Sequence, residues 1–179
     1  KLLVIYNNMC YLVFIQINFN KINFNKTILN KRRAIHMFVG REQELASLEE
    51  FYARDGIGMT VIYGRRRIGK STLITEFVKD KKTVFYTATK IGKTRNLELF
   101  SKQVLDLFMP GIENISFNSI EAVFDFIDKN IANDKIVLVI DELPYWAEKD
   151  DSLLSILQKY IDTIWNDKNL KIILCGSAL

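Results

Sequence analysis

The eight residues Gly64-Arg65-Arg66-Arg67-Ile68-Gly69-Lys70-Ser71 constrain this chain more than any other stretch. They fit the pattern G-x-x-x-x-G-K-[ST], which arises by chance about once in tens of thousands of starts. The flanks agree with it. Met59-Thr60-Val61-Ile62-Tyr63 is a short apolar, β-branched run that reads as a buried strand, and Leu73, Ile74, Phe77 and Val78 follow at helical spacing. A strand, a glycine-bracketed turn and a helix N-terminus make a cradle for phosphate. Glycine permits positive φ and close backbone approach. The first helical N–H groups lack intrahelical partners, and their partial positive charge faces an anion. Backbone N–H groups around Gly69 to Thr72 are expected to hold phosphate oxygens, with Lys70 reaching the β- and γ-phosphates and Ser71 placing its hydroxyl on Mg²⁺. The alternative is a glycine-rich turn without a ligand.

The rest of the chain alternates strand and helix. Glu42 to about Tyr52 reads as a helix with Leu45, Leu48 and Phe51 inward, ending at the turn Asp55-Gly56. A second strand is expected over Thr83–Ala88. A helix from Arg95 to Phe108, capped by Thr94, stops at Met109-Pro110-Gly111, and another, capped by Ser119, covers residues 120–131. Ile136-Val137-Leu138-Val139-Ile140 has no polar alternation, as expected of a parallel strand covered on both faces. Leu143 to Trp146 reads as a loop, Ser152 to Asn166 as a helix, and Leu170 to Cys175 as a last buried strand. This order predicts a three-layer α/β fold with a largely parallel sheet.

In such sheets ligands bind at the carboxyl ends of the strands. That places Asp141 and Glu142, which end the apolar strand at 136–140, beside Lys70. Asp141 is expected to hold Mg²⁺ through water, and Glu142 to orient and deprotonate an attacking water, as in a Walker B strand end. The competing reading is an ordinary strand-end turn. Ser177, past the last strand, faces the same edge as a γ-phosphate contact or as a turn serine. Arg65, Arg66 and Arg67 either screen phosphate charge or form a solvated loop. Thr87, Thr89 and Lys90 lie at the same edge.

Charge is unevenly spread. The chain has 25 Lys and Arg against 21 Asp and Glu, yet residues 1–36 hold six of the basic residues and no acid, leaving 19 basic against 21 acidic residues beyond them. The net +4 is therefore no argument for a nucleic-acid partner of the main domain. Residues 1–36 are rich in Ile, Asn, Phe and Lys. Their cleanest apolar piece, Met9 to Ile15, is too short to span a bilayer, and no small-residue cleavage site follows it. This stretch is expected to be an atypical extension, translated from upstream sequence, with Met37 as the natural start of a domain over 37–179. The two cysteines, Cys10 and Cys175, form neither a disulfide framework nor a metal site and suit a reducing, cytoplasmic compartment.

Phe38-Val39-Gly40-Arg41-Glu42, Gly64 to Ser71 with its arginines, Val139-Ile140-Asp141-Glu142-Leu143-Pro144-Tyr145 and Leu174-Cys175-Gly176-Ser177 together resemble the archaeal-type ATPases, AAA+-related P-loop proteins of the signal-transducing STAND kind. The resemblance covers about residues 37–179. It implies ATP as the nucleotide, an AAA+/ASCE-like core, Val39, Gly40 and Arg41 near adenine, Asp141 as the Mg²⁺ acid, Glu142 as the catalytic glutamate and Ser177 as the polar sensor. Such proteins continue into a fifth strand, a helical lid and a winged-helix region. The chain is thus expected to be incomplete at the C-terminus, with any oligomer formed through missing regions. The expected function is an ATP-binding module with Mg²⁺-dependent hydrolysis, switching a larger protein; the alternative is a non-hydrolysing nucleotide-binding scaffold for protein partners. A small-molecule kinase fits less well, because the Asp-Glu pair suits water as acceptor. Neither a direct nucleic-acid contact nor a membrane is expected, and the protein partners are open.

Overall fold

The computed structural model describes residues 6–7, 10–16, 41–113, 115–131 and 134–178. Its centre is a six-stranded sheet. The strands are β1 (Tyr6–Asn7), β2 (Cys10–Gln16), β3 (Gly58–Arg65), β4 (Thr83–Thr87), β5 (Ile136–Asp141) and β6 (Leu170–Ala178), in the spatial order β1-β2-β3-β6-β5-β4. Only the β1–β2 pair is antiparallel; β2 to β4 form a parallel sheet. The helices are α1 (Glu42–Ala53), α2 (Lys70–Val78), α3 (Lys93–Phe108), α4 (Ile120–Asn130), α5 (Leu143–Ala147) and α6 (Leu153–Lys159).

Strand periodicity sorts the core into two layers. Successive strand residues point to opposite faces. On one face Val137 and Val139 of β5, with Ile173 and Cys175 of β6, pack against Leu48 and Phe51 of α1 and Leu73, Ile74 and Phe77 of α2. On the other, Leu138, Ile140, Ile172 and Leu174 meet Phe100 of α3, Phe124 of α4, Leu157 of α6 and the rings of Trp146 and Trp165. The unbroken apolar run of β5 is explained by this, since all six of its residues are buried. Each Val, Leu or Ile so buried contributes roughly 1.5–3 kcal/mol. The three-layer α/β architecture expected from the strand and helix order is the one observed.

The elements depart from expectation in four places besides β6, which runs past Cys175 to Ala178 and so includes Ser177. Thr94 is not a cap: α3 starts at Lys93 behind Gly92, whose φ is 95°. Leu143 to Trp146 is not a loop but the body of α5, because Pro144 in its first turn suits a helix start. The helix expected over 152–166 ends as an α-helix at Lys159 and continues as a π-helical turn, Tyr160–Ile164, in which Trp165 N–H donates to the Tyr160 carbonyl at 2.8 Å. The fourth is β2, which comes from the atypical N-terminal stretch and lies along the outer side of β3, Leu12 opposite Met59 and Gln16 opposite Tyr63. The Ser119 cap is present, its hydroxyl accepting from Ala122 N–H at 3.2 Å. Among the described residues no helix is long and apolar enough to cross a membrane.

Candidate functional site at the carboxyl edge of the sheet

The site forms where β3, β6 and β5 end side by side. The register sets Gly64 of β3 opposite Ser177 of β6, and Thr87 of β4 opposite Asp141 of β5. The loop from Gly64 to Ser71 leaves β3 and enters α2 through two left-handed residues, Arg67 (φ 61°) and Gly69 (φ 81°). Gly69 is the N-cap, and among the described residues no side chain caps α2, which leaves its first N–H groups without an intrahelical partner. Gly64 itself lies within β3.

Lys70 is the first residue of α2 and only 5% exposed. Its ammonium donates to the carbonyls of Gly64 at 2.9 Å and Arg65 at 2.8 Å and to Ser177 Oγ at 3.0 Å. The aliphatic stem is thus buried while the charge is held at the loop mouth. Ser71 Oγ donates to Asp141 Oδ2 at 2.6 Å. Asp141 Oδ1 accepts from the Glu142 N–H at 2.9 Å. Glu142 takes a left-handed conformation (φ 52°, ψ 36°) as the N-cap of α5. A non-glycine residue there carries strain, and its side chain reaches back to β6. Its Oε1 accepts from Ser177 Oγ at 2.8 Å. Ser177 therefore links Lys70 and Glu142 directly. Cys175, two residues earlier on the same face of β6, has its thiol pushed well above the ordinary range by burial, with the neighbouring Asp141 carboxylate adding to the rise.

Two further residues close the site from the sides. The Arg41 guanidinium donates to the carbonyl of Ile68 in the loop and pairs with Glu44 at 3.5 Å. Arg66 donates to the Tyr145 hydroxyl and lies over that ring at 5.7 Å, while Lys90 Nζ sits 4.9 Å from the same ring centroid. Tyr145 thus joins the loop, α5 and the β4–α3 connection. Cation–π contacts of this kind are worth about 0.5–1 kcal/mol at exposed sites. Sequence reasoning assigns Tyr145 to a loop and gives it no role; the available signal is its place three residues beyond Glu142.

The matched family is an ATPase domain predominantly from Archaea, and the match runs over residues 38–178. The chain belongs to this archaeal ATPase family. An uncharacterized protein of Methanocaldococcus jannaschii is 32% identical over 143 residues, which is 80% of this chain and 30% of that protein. An uncharacterized ATP-binding protein of the same organism is 44% identical over 48 residues, 27% of this chain and 81% of that one. The chain thus spans under a third of the length of the first of these relatives. A Walker-type ATPase of Pyrococcus abyssi superposes with a TM-score of 0.57 at 24% identity, covering 76% of this chain and 45% of that one. A chain in the structure of Drosophila ORC bound to DNA gives 0.63 at 17% identity, covering 79% and 38%. At these identities the two structures speak for the fold, a P-loop α/β core.

Within this ATPase domain the structure brings together Gly64, Gly69, Lys70, Ser71, Asp141, Glu142 and Ser177. Arg41 joins them through Ile68. Arg65, Arg66 and Arg67 are exposed, and Arg66 is the one of them that reaches across the site, to the Tyr145 side chain. Thr72 is exposed on the first turn of α2. Val39 and Gly40, expected near adenine, lie outside the described residues.

Proposed function

We propose that this domain binds ATP with Mg²⁺, hydrolyses it, and serves as a nucleotide-driven switch in a larger protein. The observation that carries the reading is the continuous contact chain Lys70–Ser177–Glu142 beside Ser71–Asp141. It joins a phosphate-type loop to a pair of adjacent carboxylates at one sheet edge.

The residues fit the two groups. Ser71 hydroxyl and Asp141 carboxylate, 2.6 Å apart, are a hard oxygen donor set of the kind Mg²⁺ takes, the rest of its shell being water and phosphate. The uncapped start of α2 and the Lys70 ammonium suit phosphate oxygens. When bound, Mg²⁺ would supply neutralisation of phosphate charge. Lys70 and the N–H groups of the loop hold the anion. Ser71 and Asp141 would hold the metal. Glu142 orients an attacking water and receives its proton as oxygen bonds to the γ-phosphorus and the bond to the bridging oxygen breaks. Ser177, already donating to the Glu142 carboxylate, keeps it aimed at that water.

The decisive experiment is Glu142→Gln in the full-length protein. ATP binding is expected to survive, with turnover lowered at least about 100-fold, the scale of lost acid–base help. Unchanged turnover removes Glu142 from the mechanism. A wild type that binds ATP without turnover leaves the non-hydrolysing scaffold as the reading.

A further inference from the structure

Three consecutive residues of β6 each touch the β5–α5 junction. Cys175 faces Asp141 and Ser177 holds Glu142, both on one side of the strand. Gly176 points the opposite way. A Cβ built on it would lie 3.1 Å from Pro144 Cγ and 3.2 Å from Pro144 Cδ, tighter than ordinary contact, while Tyr63 Cδ2 is at a comfortable 3.8 Å. Pro144 is the second residue of α5, and Glu142 is the N-cap of that helix.

Pro144 is exposed on its outer side, so relief of this contact moves the start of α5. The proline ring has no rotamer by which to swing aside. Two residues on, Trp146 is fully buried, its ring centroid 5.5 Å from that of Tyr86 and 5.4 Å from that of Phe100. The turn before it is tied by Tyr145 N–H donating to the Glu142 carbonyl at 3.0 Å. A side chain at 176 would therefore push Pro144 and with it the N-terminal end of α5, where Glu142 stands, while Trp146 holds the other end.

We infer that Gly176 is a positioning residue for hydrolysis: by leaving room for Pro144 against β6 it sets where the Glu142 carboxylate sits. Gly176 acts through Pro144. This inference rests on the hydrolytic reading of Glu142, but its geometric part stands apart from turnover.

The test is a double-mutant cycle in the full-length protein with Gly176→Ala and Pro144→Ala. Gly176→Ala is expected to lower kcat about tenfold, since displacement of 1 Å can cost about 100-fold, with the Kd for ATP unchanged within about twofold. In the Pro144→Ala background, where the ring is gone, the same change is expected to cost less than about twofold. An undiminished kcat in the single variant, or an equal loss in both backgrounds, overturns the inference. Crystal structures supply the second readout, the hydrogen bond from Ser177 Oγ to Glu142 Oε1, 2.8 Å here. If the wild type proves inert, a hydrogen bond broken in Gly176→Ala and restored in the double variant upholds the positioning while the hydrolytic reading falls. A hydrogen bond that survives in Gly176→Ala overturns the positioning. If the single variant fails to fold, folding of the double variant upholds the steric coupling, and failure of both overturns it.

Discussion

Ser177 is a small side chain with two demanding neighbours. It accepts from the Lys70 ammonium at 3.0 Å and donates to Glu142 at 2.8 Å, so a single hydroxyl separates a buried cation from a carboxylate. Without it, Lys70 keeps the carbonyls of Gly64 and Arg65 and so remains held at the loop. Glu142 loses its donor and the constraint on its direction. Ser177→Ala is therefore expected to leave ATP affinity within about threefold and to lower kcat by about tenfold to 100-fold, as for an oriented group left to wander. Ser177→Thr keeps the hydroxyl and is expected to recover most of the rate. Steady-state kinetics with a separate binding assay checks both. A loss of affinity equal to the loss of rate would assign Ser177 to the loop and not to Glu142.

At the scale of elements, the sequence is legible where hydrophobic periodicity and neighbouring backbone chemistry agree. The strand at 136–140 has no polar residue, and the Ser119 cap is a local hydrogen bond. Both are written into adjacent residues. Expectation and structure part where a buried side-chain network decides. Thr94 fails as a cap because Asn96, buried in α3, takes over the turn before it. Asn96 donates to the carbonyls of Thr89 at 2.9 Å and Gly92 at 2.7 Å, and accepts from Thr89 N–H at 3.0 Å and the Tyr86 hydroxyl at 2.6 Å. Nothing in local spacing marks that network. The residues gathered at the sheet edge are legible because the loop pattern and the strand-end acids are local. Gly176 is not, because its meaning lies in a proline thirty-two positions earlier in the chain.

The start of α6 gives an element-scale prediction. Asp150 Oδ1 accepts from Ser152 N–H at 3.2 Å, Ser152 Oγ at 2.6 Å and Lys93 Nζ at 3.1 Å, tying α3 to α6. Burial alone would raise its pKa, but these hydrogen bonds and the Lys93 charge outweigh it and hold the carboxyl below its ordinary value. A depressed folded pKa contributes stability that is whole above the unfolded value, about 3.9, and lost as pH falls through the folded one. Asp150→Asn is expected to lower stability at pH 7 by about 1–2 kcal/mol, the lower part of the range for charged hydrogen bonds because Lys93 is half exposed. The gap between variant and wild type should begin to close below about pH 4 and narrow further as pH falls through the folded value. Denaturant titrations at pH 7 and pH 3 check this. A gap that stays constant across that range would show that packing, and not the charge, sets the cost.

For the whole molecule, the described site gathers at the ends of β3, β6 and β5 and the starts of α2 and α5, with Arg41 and Lys90 at its sides. The strand β2 adds to the far side of β3, pairing over Leu12–Gln16 with Met59–Tyr63. Between β2 and the site residues of β5 stand both β3 and β6. The family match begins at residue 38, so the stretch before Met37 lies outside it. Deleting residues 1–36 thus removes a neighbour of β3 on one edge while its eight-residue pairing with β6, from Gly58 opposite Lys171 to Arg65 opposite Ala178, is kept. ATP affinity is expected to stay within about threefold, because the phosphate-loop hydrogen bonds described above come from residues beyond 40, and losing even one charge-assisted hydrogen bond to phosphate would exceed that factor. The cost falls on the exposed edge. An unpaired, apolar strand edge is a template for association, so the shortened chain is expected to self-associate in a concentration-dependent way. Light scattering over a dilution series, beside an ATP-binding isotherm, separates the two effects. Retained binding with new self-association places residues 1–36 as an edge cover independent of the nucleotide site. Loss of ATP binding in a monomeric, folded protein would instead make β2 a working part of the phosphate loop's support.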